Sequence, residues 1–487
     1  MSLDRRAFLR ASALAAITPS LSGLVACATR GAGADFGDWA PSPVPPPGRG
    51  SARTRTGPAS YGALTEVGPE LALPAGFSYM KLSLGGQPLT DGTRVPGGHD
   101  GMACFARPGR SDVVRLVRNH ELAANPQRPE TRRAAGDPKR AYDRFAPGGT
   151  STIELRLGAD GAPEVLGSWM SITGTLVNCA GGPTPWGSWL TCEETVLGAA
   201  AGYEKEHGYI FEVPAGRDMS DGPVDPVPLK AMGRFVHEAV AVDPTTGVVY
   251  LTEDQLAAGF YRFIPKTPGR LRDGGRLQML ALADAEKYDT RKGQQPGQSR
   301  RARWVDIEDP DPANVTPQTI HQQGWTNGGA TFGRLEGAWY GDGGIFFHAT
   351  NGGDEGLGQV WFYRPDGGAD GDPRRDRSAG GELLLVFESR TKDVLMAPDN
   401  ITVSPRGGIV ICEDAGGNVH LRGLSARGEV FPFAKNVFNN REFAGACFSP
   451  DGRVLFVNVQ GAQAPAENPT NVGMTFAIWG PWERGGL

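Results

Sequence analysis

Polar residues recur in this chain at both ends of hairpin-like segments, where two side chains would meet. Glu238 to Glu253 reads as a strand, an Asp243-Pro-Thr-Thr-Gly247 turn and a second strand. Asp399 to Asp414 repeats the pattern around Ser404-Pro405, Glu336 to Asn351 around Gly-Asp-Gly-Gly, and Cys179 to Glu194 around a modified turn. In all four, 15 positions separate the opening residue from the closing one. A hairpin with its turn at the midpoint sets such residues opposite each other, about 4.5–5.5 Å apart at Cα. Like charges so placed repel, and gathering several in one channel raises their pKa values. Calcium relieves that conflict, because carboxylate, amide carbonyl and water oxygens are the ligands it prefers. A thiolate is softer and selects zinc, copper or iron, so Cys179 among carboxylates points to a transition metal beside calcium.

Other residues extend the pattern. Ala444 to Val459 is a fifth copy, around Ser449-Pro-Asp-Gly452, and Asp100 to Glu121 a sixth with a longer loop. Asn119-His120-Glu121 closes that sixth hairpin and offers oxygen ligands. Arg334 stands two residues before Glu336, so in an extended strand both would face the same way. An arginine there suits a bidentate grip on phosphate; the alternative is a salt bridge to Glu336 alone. His237 would point away from Glu238. Asp243 is set aside as a turn former. Cys179 and Cys192 admit a second reading, a cross-strand disulfide, in keeping with an oxidising compartment.

Hairpins of this kind need a scaffold that brings their open ends together. Further strand-like runs follow them at 208–214, 259–265, 358–365 and 382–389. The 70 glycines and 39 prolines are spread through the chain as turn residues, an all-β signature. These features predict a single all-β domain, a six-bladed β-propeller with irregular insertions, whose innermost strands line a central channel. Cys179, Glu238, Glu336 and Asp399 would then form one ring at its mouth, and Glu194, Glu253, Asn351 and Asp414 a second. Trp186, Trp189, Trp339 and Trp361 are expected between blades. A net charge of −5 gives no footprint for nucleic acid.

The N-terminal region carries Asp4-Arg5-Arg6-Ala7-Phe8-Leu9-Arg10, which fits a twin-arginine export signal, before an apolar stretch from Ala11 to Ala26 that is short for a membrane span. Leu24-Val-Ala-Cys27 also fits a lipobox, with Cys27 as the lipidated residue. Pro41 to Gly48 is a stiff spacer. The expected organisation is a signal peptide at 1–27, a linker at 28–70 and the propeller at 71–487. A periplasmic or extracellular monomer follows, with no transmembrane span and with a lipid anchor if Cys27 is modified.

With these residues in place, the chain resembles the PhoX alkaline phosphatases from about Leu71 to Trp482. The likeness is carried by His99-Asp100-Gly-Met102, Asn119-His-Glu121, Asn178-Cys179-Ala-Gly-Gly-x-Thr-Pro-Trp186-Gly-x-Trp189-x-Thr-Cys-Glu-Glu194, Gly233-Arg-Phe-x-His237-Glu238, Pro398-Asp399-Asn400, Cys412-Glu-Asp414, and Phe448-Ser-Pro-Asp-Gly452 leading to Gly480-Pro-Trp482. The resemblance implies a twin-arginine-exported phosphomonoesterase acting on small phosphorylated substrates. It also implies an axial cluster of ferric iron and calcium. By position, Cys179 and Glu238 look like iron ligands, and Glu194, Glu336 and Asp399 like ligands of the wider cluster, with Glu121 beside them. Glu253 and Asp414 join as the remaining acids of the second ring. The family's phosphate-gripping arginine sits in Arg-Pro-Glu; here that segment is Arg334-Leu335-Glu336, without the proline. Arg334 and Glu336 are the expected catalytic pair, the arginine stabilising equatorial phosphate oxygens, in a metal-assisted hydrolysis that requires no Ser, Thr or Cys nucleophile. Two other readings fit the residues alone: a calcium-dependent propeller hydrolase of another ester or lactone, and a non-catalytic calcium-binding surface propeller.

Overall fold

Short β-rich runs punctuated by Gly, Pro and Asp build a ring of small sheets. The structure, a computed structural model, describes residues 59–124, 131–366, 380–417, 419–462 and 470–487. The expected export signal, the lipobox and residues 28–58 of the expected linker lie outside the described residues. The rest of that linker is folded: β1 (Leu64–Glu66) pairs with β2 (Leu71–Pro74), so the body begins before Leu71. After β3 (Ser78–Leu84), the six hairpins read from the sequence each begin a blade.

The blades are β4–β7 (His99–Arg107, Arg110–His120, Gly148–Leu157, Pro163–Thr175), β8–β10 (Asn178–Pro183, Ser188–Glu193, Ile210–Pro214) and β11–β15 (His237–Val242, Val249–Glu253, Phe260–Pro265, Gly275–Leu282, Ser299–Asp306). There follow β16–β19 (Leu335–Gly341, Gly344–Ala349, Gln359–Pro365, Gly381–Glu388), β20–β23 (Pro398–Val403, Ile409–Glu413, His420–Leu424, Val430–Asn436) and β24–β26 (Phe443–Phe448, Val454–Val459, Met474–Trp479). Inner strands β4, β8, β11, β16, β20 and β24 touch in that order, and β24 touches β4, closing a ring of six. The propeller expected from the sequence is therefore present with six blades.

Two devices protect its edges. Strand β3, from the N-terminal end of the body, completes the sixth blade by pairing with β26, and β2 pairs with β23 of the fifth. Blades three and four join at their outer rims, where β15 pairs with β19. No free edge is left at that seam to recruit another chain. Tyr61 adds a clasp: its hydroxyl donates to the carbonyls of Leu487 at 2.8 Å and Trp482 at 3.0 Å. Between blades the faces are apolar and aromatic. The Phe260 and Phe347 rings stack with centroids 4.2 Å apart across blades three and four, a contact worth about 0.5–1.5 kcal/mol beyond area burial. No helix among the described residues is long and apolar enough to cross a membrane.

All six inner hairpins share one irregularity, a register shift just after the first pair of residues. A bulge of this kind bends the strand and re-aims its side chains. It follows the pairs His99↔His120, Asn178↔Glu193, His237↔Glu253, Leu335↔Ala349, Pro398↔Glu413 and, one residue further on, Phe443↔Val459. The next residue in each inner strand is therefore equivalent around the ring: Asp100, Cys179, Glu238, Glu336, Asp399 and Ala444. One step on come Gly101, Ala180, Ala239, Gly337, Asn400 and Gly445, which line a narrow stretch of the axis. At the glycines of this set a side chain is excluded. A Cβ on Gly101 would lie 2.6 Å from Ala180 Cα, and one on Gly445 would lie 2.3 Å from the Asp100 carbonyl oxygen. The axis is narrow at this level and widens into a cup at the bulge residues.

Candidate metal centre

The cup is a cavity of about 420 Å³ walled by the bulge residues and by a second tier. That tier is set by one repeated backbone bond. The N–H groups of Glu121, Glu194, Asp254, Thr350, Asp414 and Gln460 donate to the carbonyls of Gly98, Val177, Val236, Arg334, Ala397 and Glu442. In four blades the carbonyl residue is left-handed, with φ of 57° at Gly98, 48° at Val177, 41° at Arg334 and 46° at Ala397. Only one of the four is glycine. Non-glycine residues held there cost roughly 1–3 kcal/mol each and cluster at functional sites.

This geometry corrects the fixed spacing of 15. It holds for Cys179 with Glu194 and for Asp399 with Asp414. In blade three the longer Asp-Pro-Thr-Thr-Gly turn pairs Glu253 with His237 and gives the place beside Glu238 to Asp254. Glu253 turns into the blade, where its Oε2 accepts from Gly259 N at 2.8 Å and the Tyr261 hydroxyl at 2.7 Å. It does not line the cup. In blade four the shorter turn puts Thr350 in the second tier and leaves Asn351 exposed. Asn119 is also committed elsewhere, donating to the Cys179 and Ala180 carbonyls. His237 faces away, its Nε2 3.0 Å from the Gly233 carbonyl.

The expected residues brought together are Cys179, Glu194, Glu336, Asp399, Asp414, Glu121 and Arg334, which line the cavity, with Glu238 against Cys179. Cys179 Sγ is 3.3 Å from Glu238 Oε1 and 3.8 Å from Asp100 Oδ1. Donor atoms of Cys179, Glu194 and Glu238 lie within 4.8 Å of one another, as do those of Glu238, Glu336 and Asp399. Glu238 belongs to both triads. No disulfide joins Cys179 to Cys192; both are free. Three acids outside the expected set also gather here: Asp100 and Glu442 line the cavity, and Asp254 grips Arg334 beside it. In His120-Glu121, Glu193-Glu194 and Glu413-Asp414 the second residue lines the cup, and in Glu253-Asp254 the second residue holds Arg334 on its wall.

The first residues of the acidic doublets do different work. Glu193 Oε1 accepts from Leu176 N at 2.9 Å, and Glu413 Oε1 from Met396 N at 3.0 Å and Arg422 Nε at 2.9 Å. Leu176 and Met396 immediately precede the left-handed Val177 and Ala397. These buried glutamates therefore hold the strained turns that present Cys179 and Asp399. Groups supporting a metal ligand from behind typically set 10–100-fold of its affinity. Glu413→Gln, which keeps the side chain's shape but leaves the buried Arg422 without its counter-charge, should raise the metal dissociation constant about tenfold and lower the melting temperature as well. Titration in a metal buffer measures it; unaltered affinity would show that the turn holds itself.

Electrostatics argue for cations in the cup. Burial, then Glu336, Glu194 and Asp399, push the Glu238 carboxyl well above the ordinary range. Burial, then Asp100 and Glu238, do the same to the Cys179 thiol. Asp399 is raised to about 8 by burial and by Asp414, and Glu121 to about 7 by burial and by Asp414. Glu442 rises to about 12, through burial and then its hydrogen bond with Asp414. Glu238 Oε2 has no hydrogen-bond partner although fully buried. Buried, unpartnered acids cost several kcal/mol each unless something neutralises them. Oxygen donors with one thiol fit hard cations together with a softer metal.

Arg334 is a cation on the wall. Its Nε and Nη2 each donate to Asp254 at 2.8 Å, and Nη2 lies 3.1 Å from Glu336. It sits ahead of β16 in left-handed backbone, so strand alternation is not what brings it to Glu336. Nη1 bonds to none of the described residues.

Residues 59–463 match the family described as alkaline phosphatase PhoX. The chain belongs to the PhoX alkaline phosphatase family. It is thereby a hydrolase of phosphate monoesters, and the lactone and non-catalytic readings are set aside. Among solved structures, the chain is similar to Pseudomonas fluorescens PhoX in complex with vanadate, a transition-state analogue. Identity is 20%, over 88% of this chain and 98% of that one, with a TM-score of 0.63. The chain is also similar, at 12% identity and a TM-score of 0.39, to XC5397, a gluconolactonase from Xanthomonas campestris, over 87% of this chain and 99% of that one. No curated protein matches. PhoX membership agrees with a metal-dependent site in this cup.

Proposed function

We propose that this PhoX-family phosphatase cleaves small phosphomonoesters in the cup, with iron held by Cys179 and Glu238 and calcium held by Glu194, Glu336, Asp399, Glu121 and Asp414. Asp100 and Asp254 join that ligand set. The observation that carries the reading is the overlap of two donor triads at Glu238, one with a thiol and one all carboxylate. When bound, the metals supply Lewis acidity toward phosphate oxygens and lower the pKa of water.

The chain's own groups do the rest. Asp254 grips two of the three guanidinium nitrogens of Arg334, fixing its plane and leaving Nη1 for an equatorial phosphate oxygen. Glu336 steadies the same arginine from the ring below. The axis is narrow below the cup, so the wider space at the bulge residues is the room open to an ester. A twin-arginine signal at residues 4–10 would deliver the protein beyond the cytoplasmic membrane, and a lipid on Cys27 would tether it there as a monomer.

Turnover of p-nitrophenyl phosphate at alkaline pH should vanish with a calcium chelator and return with calcium, with iron found by elemental analysis. Arg334→Ala should lower kcat by about 10²–10³ with metal content intact. Turnover indifferent to chelation, or an Arg334→Ala enzyme at full rate, would overturn the reading.

A further inference from the structure

The cup wall holds two arginines among its many acids. Arg334 is bound on both sides by carboxylates. Arg441, which lies just before blade six, is different. It lines the same cavity, yet no carboxylate among the described residues pairs with it. Its place is nonetheless fixed. Its N–H donates to Asn439 Oδ1 at 3.0 Å, its carbonyl accepts from Asn436 Nδ2 at 2.8 Å, and its Nε donates to Asn471 Oδ1. Three asparagines thus set an arginine over an acidic cavity and hold it without neutralising it, leaving both terminal nitrogens without a partner among the described residues.

Blade six is also where the ring of ligands is interrupted. Ala444 stands at the bulge position that carries a donor in the other five blades, and Gln460 takes the second-tier place held by an acid in four of them. Arg441 therefore stands beside the one bulge position without a donor, next to Glu442 and two blades away from Arg334. The exposed Asn440 lines the wall beside it. A fixed guanidinium with two open N–H edges suits a planar or tetrahedral anion, and pre-organisation lowers the cost of binding it.

We propose that Arg441, with Asn440, determines specificity by binding a second anionic group, carried on the leaving portion of the substrate. The substrates favoured would be small phosphomonoesters that also bear a carboxylate or another phosphate. This rests on the phosphatase reading and adds a preference to it.

The test compares kcat/KM within two pairs. In one, 3-phosphoglycerate and glycerol 3-phosphate differ by a carboxylate; in the other, fructose 1,6-bisphosphate and fructose 6-phosphate differ by a second phosphate. The native enzyme should favour the more anionic member of at least one pair, and which pair identifies the anion. Arg441→Gln should reduce that preference about tenfold, mainly through KM. A native enzyme with no preference in either pair would overturn the inference, as would a preference that survives Arg441→Gln. Failure to hydrolyse either pair or p-nitrophenyl phosphate would instead remove the phosphatase reading beneath it.

Discussion

Glu238→Gln is expected to abolish turnover and metal loading together, with kcat/KM falling at least about a thousandfold. Glu238 belongs to both donor triads, and it lies 3.3 Å from the Cys179 sulfur. One of its oxygens is buried without a hydrogen-bond partner, which in a native protein asks for an explanation. An amide fills the same volume, so the fold should survive; what it lacks is the negative charge that would hold a cation at the shared corner of the two triads. Elemental analysis beside the p-nitrophenyl phosphate assay checks both halves. A variant that stays active and fully metallated would remove Glu238 from the centre.

Metal removal should leave a protein whose stability falls as pH rises. The carboxyls of Glu121 and Asp399 are raised to about 7 and about 8 by burial and by neighbouring acids, whereas in the unfolded chain they titrate near about 4. In the metal-free fold they are stabilising in the protonated form. That contribution is complete below the unfolded pKa and is lost as pH climbs through the folded values. The chelated protein should therefore melt several degrees lower at pH 8.5 than at pH 5. Saturating metal should reverse the trend, since cations bind only the ionised cup. Calorimetry at the two pH values, with and without metal, decides it; a metal-free melting temperature that is flat or rises with pH would mean the acids are neutralised in some other way.

How far the sequence reveals this site depends on which force sets each feature. Hairpins and blade number were legible because turn residues and apolar runs are local signals. So was the convergence of Cys179, Glu238, Glu336 and Asp399, which open four strands of one type. What escaped was register. Counting 15 residues assumes equal turns, and the turn after Val242 is one residue too long while that after Gly341 is one too short. Glu253 therefore stood in for Asp254, and Asn351 for Thr350. Asp100 was quoted as part of a motif but not as a ligand, because its hairpin partner Glu121 lies 21 residues on rather than 15. Glu442 and Gln460 reach the cup from a blade whose own bulge residue is alanine, so nothing charged marks that hairpin. The bulge itself, which aims every bulge-position ligand, is a matter of backbone pairing and leaves no residue signature.

The closure of blade six by β3 has a consequence for how the enzyme comes into being. Residues 78–84 are made early, yet their partner β26 (Met474–Trp479) follows only after the strands of all the other blades. During synthesis that early strand cannot make this pairing until all six blades have been made. Such long-range pairings are slow and leave strand edges exposed while they wait. The pocket for metal is finished late for the same reason, because Asp100 of the first blade meets Gln460 of the last, 3.3 Å apart, only when the ring shuts. Maturation is thus an all-at-once event: a chain truncated by its final strand should lose the capacity to capture metal along with the blade.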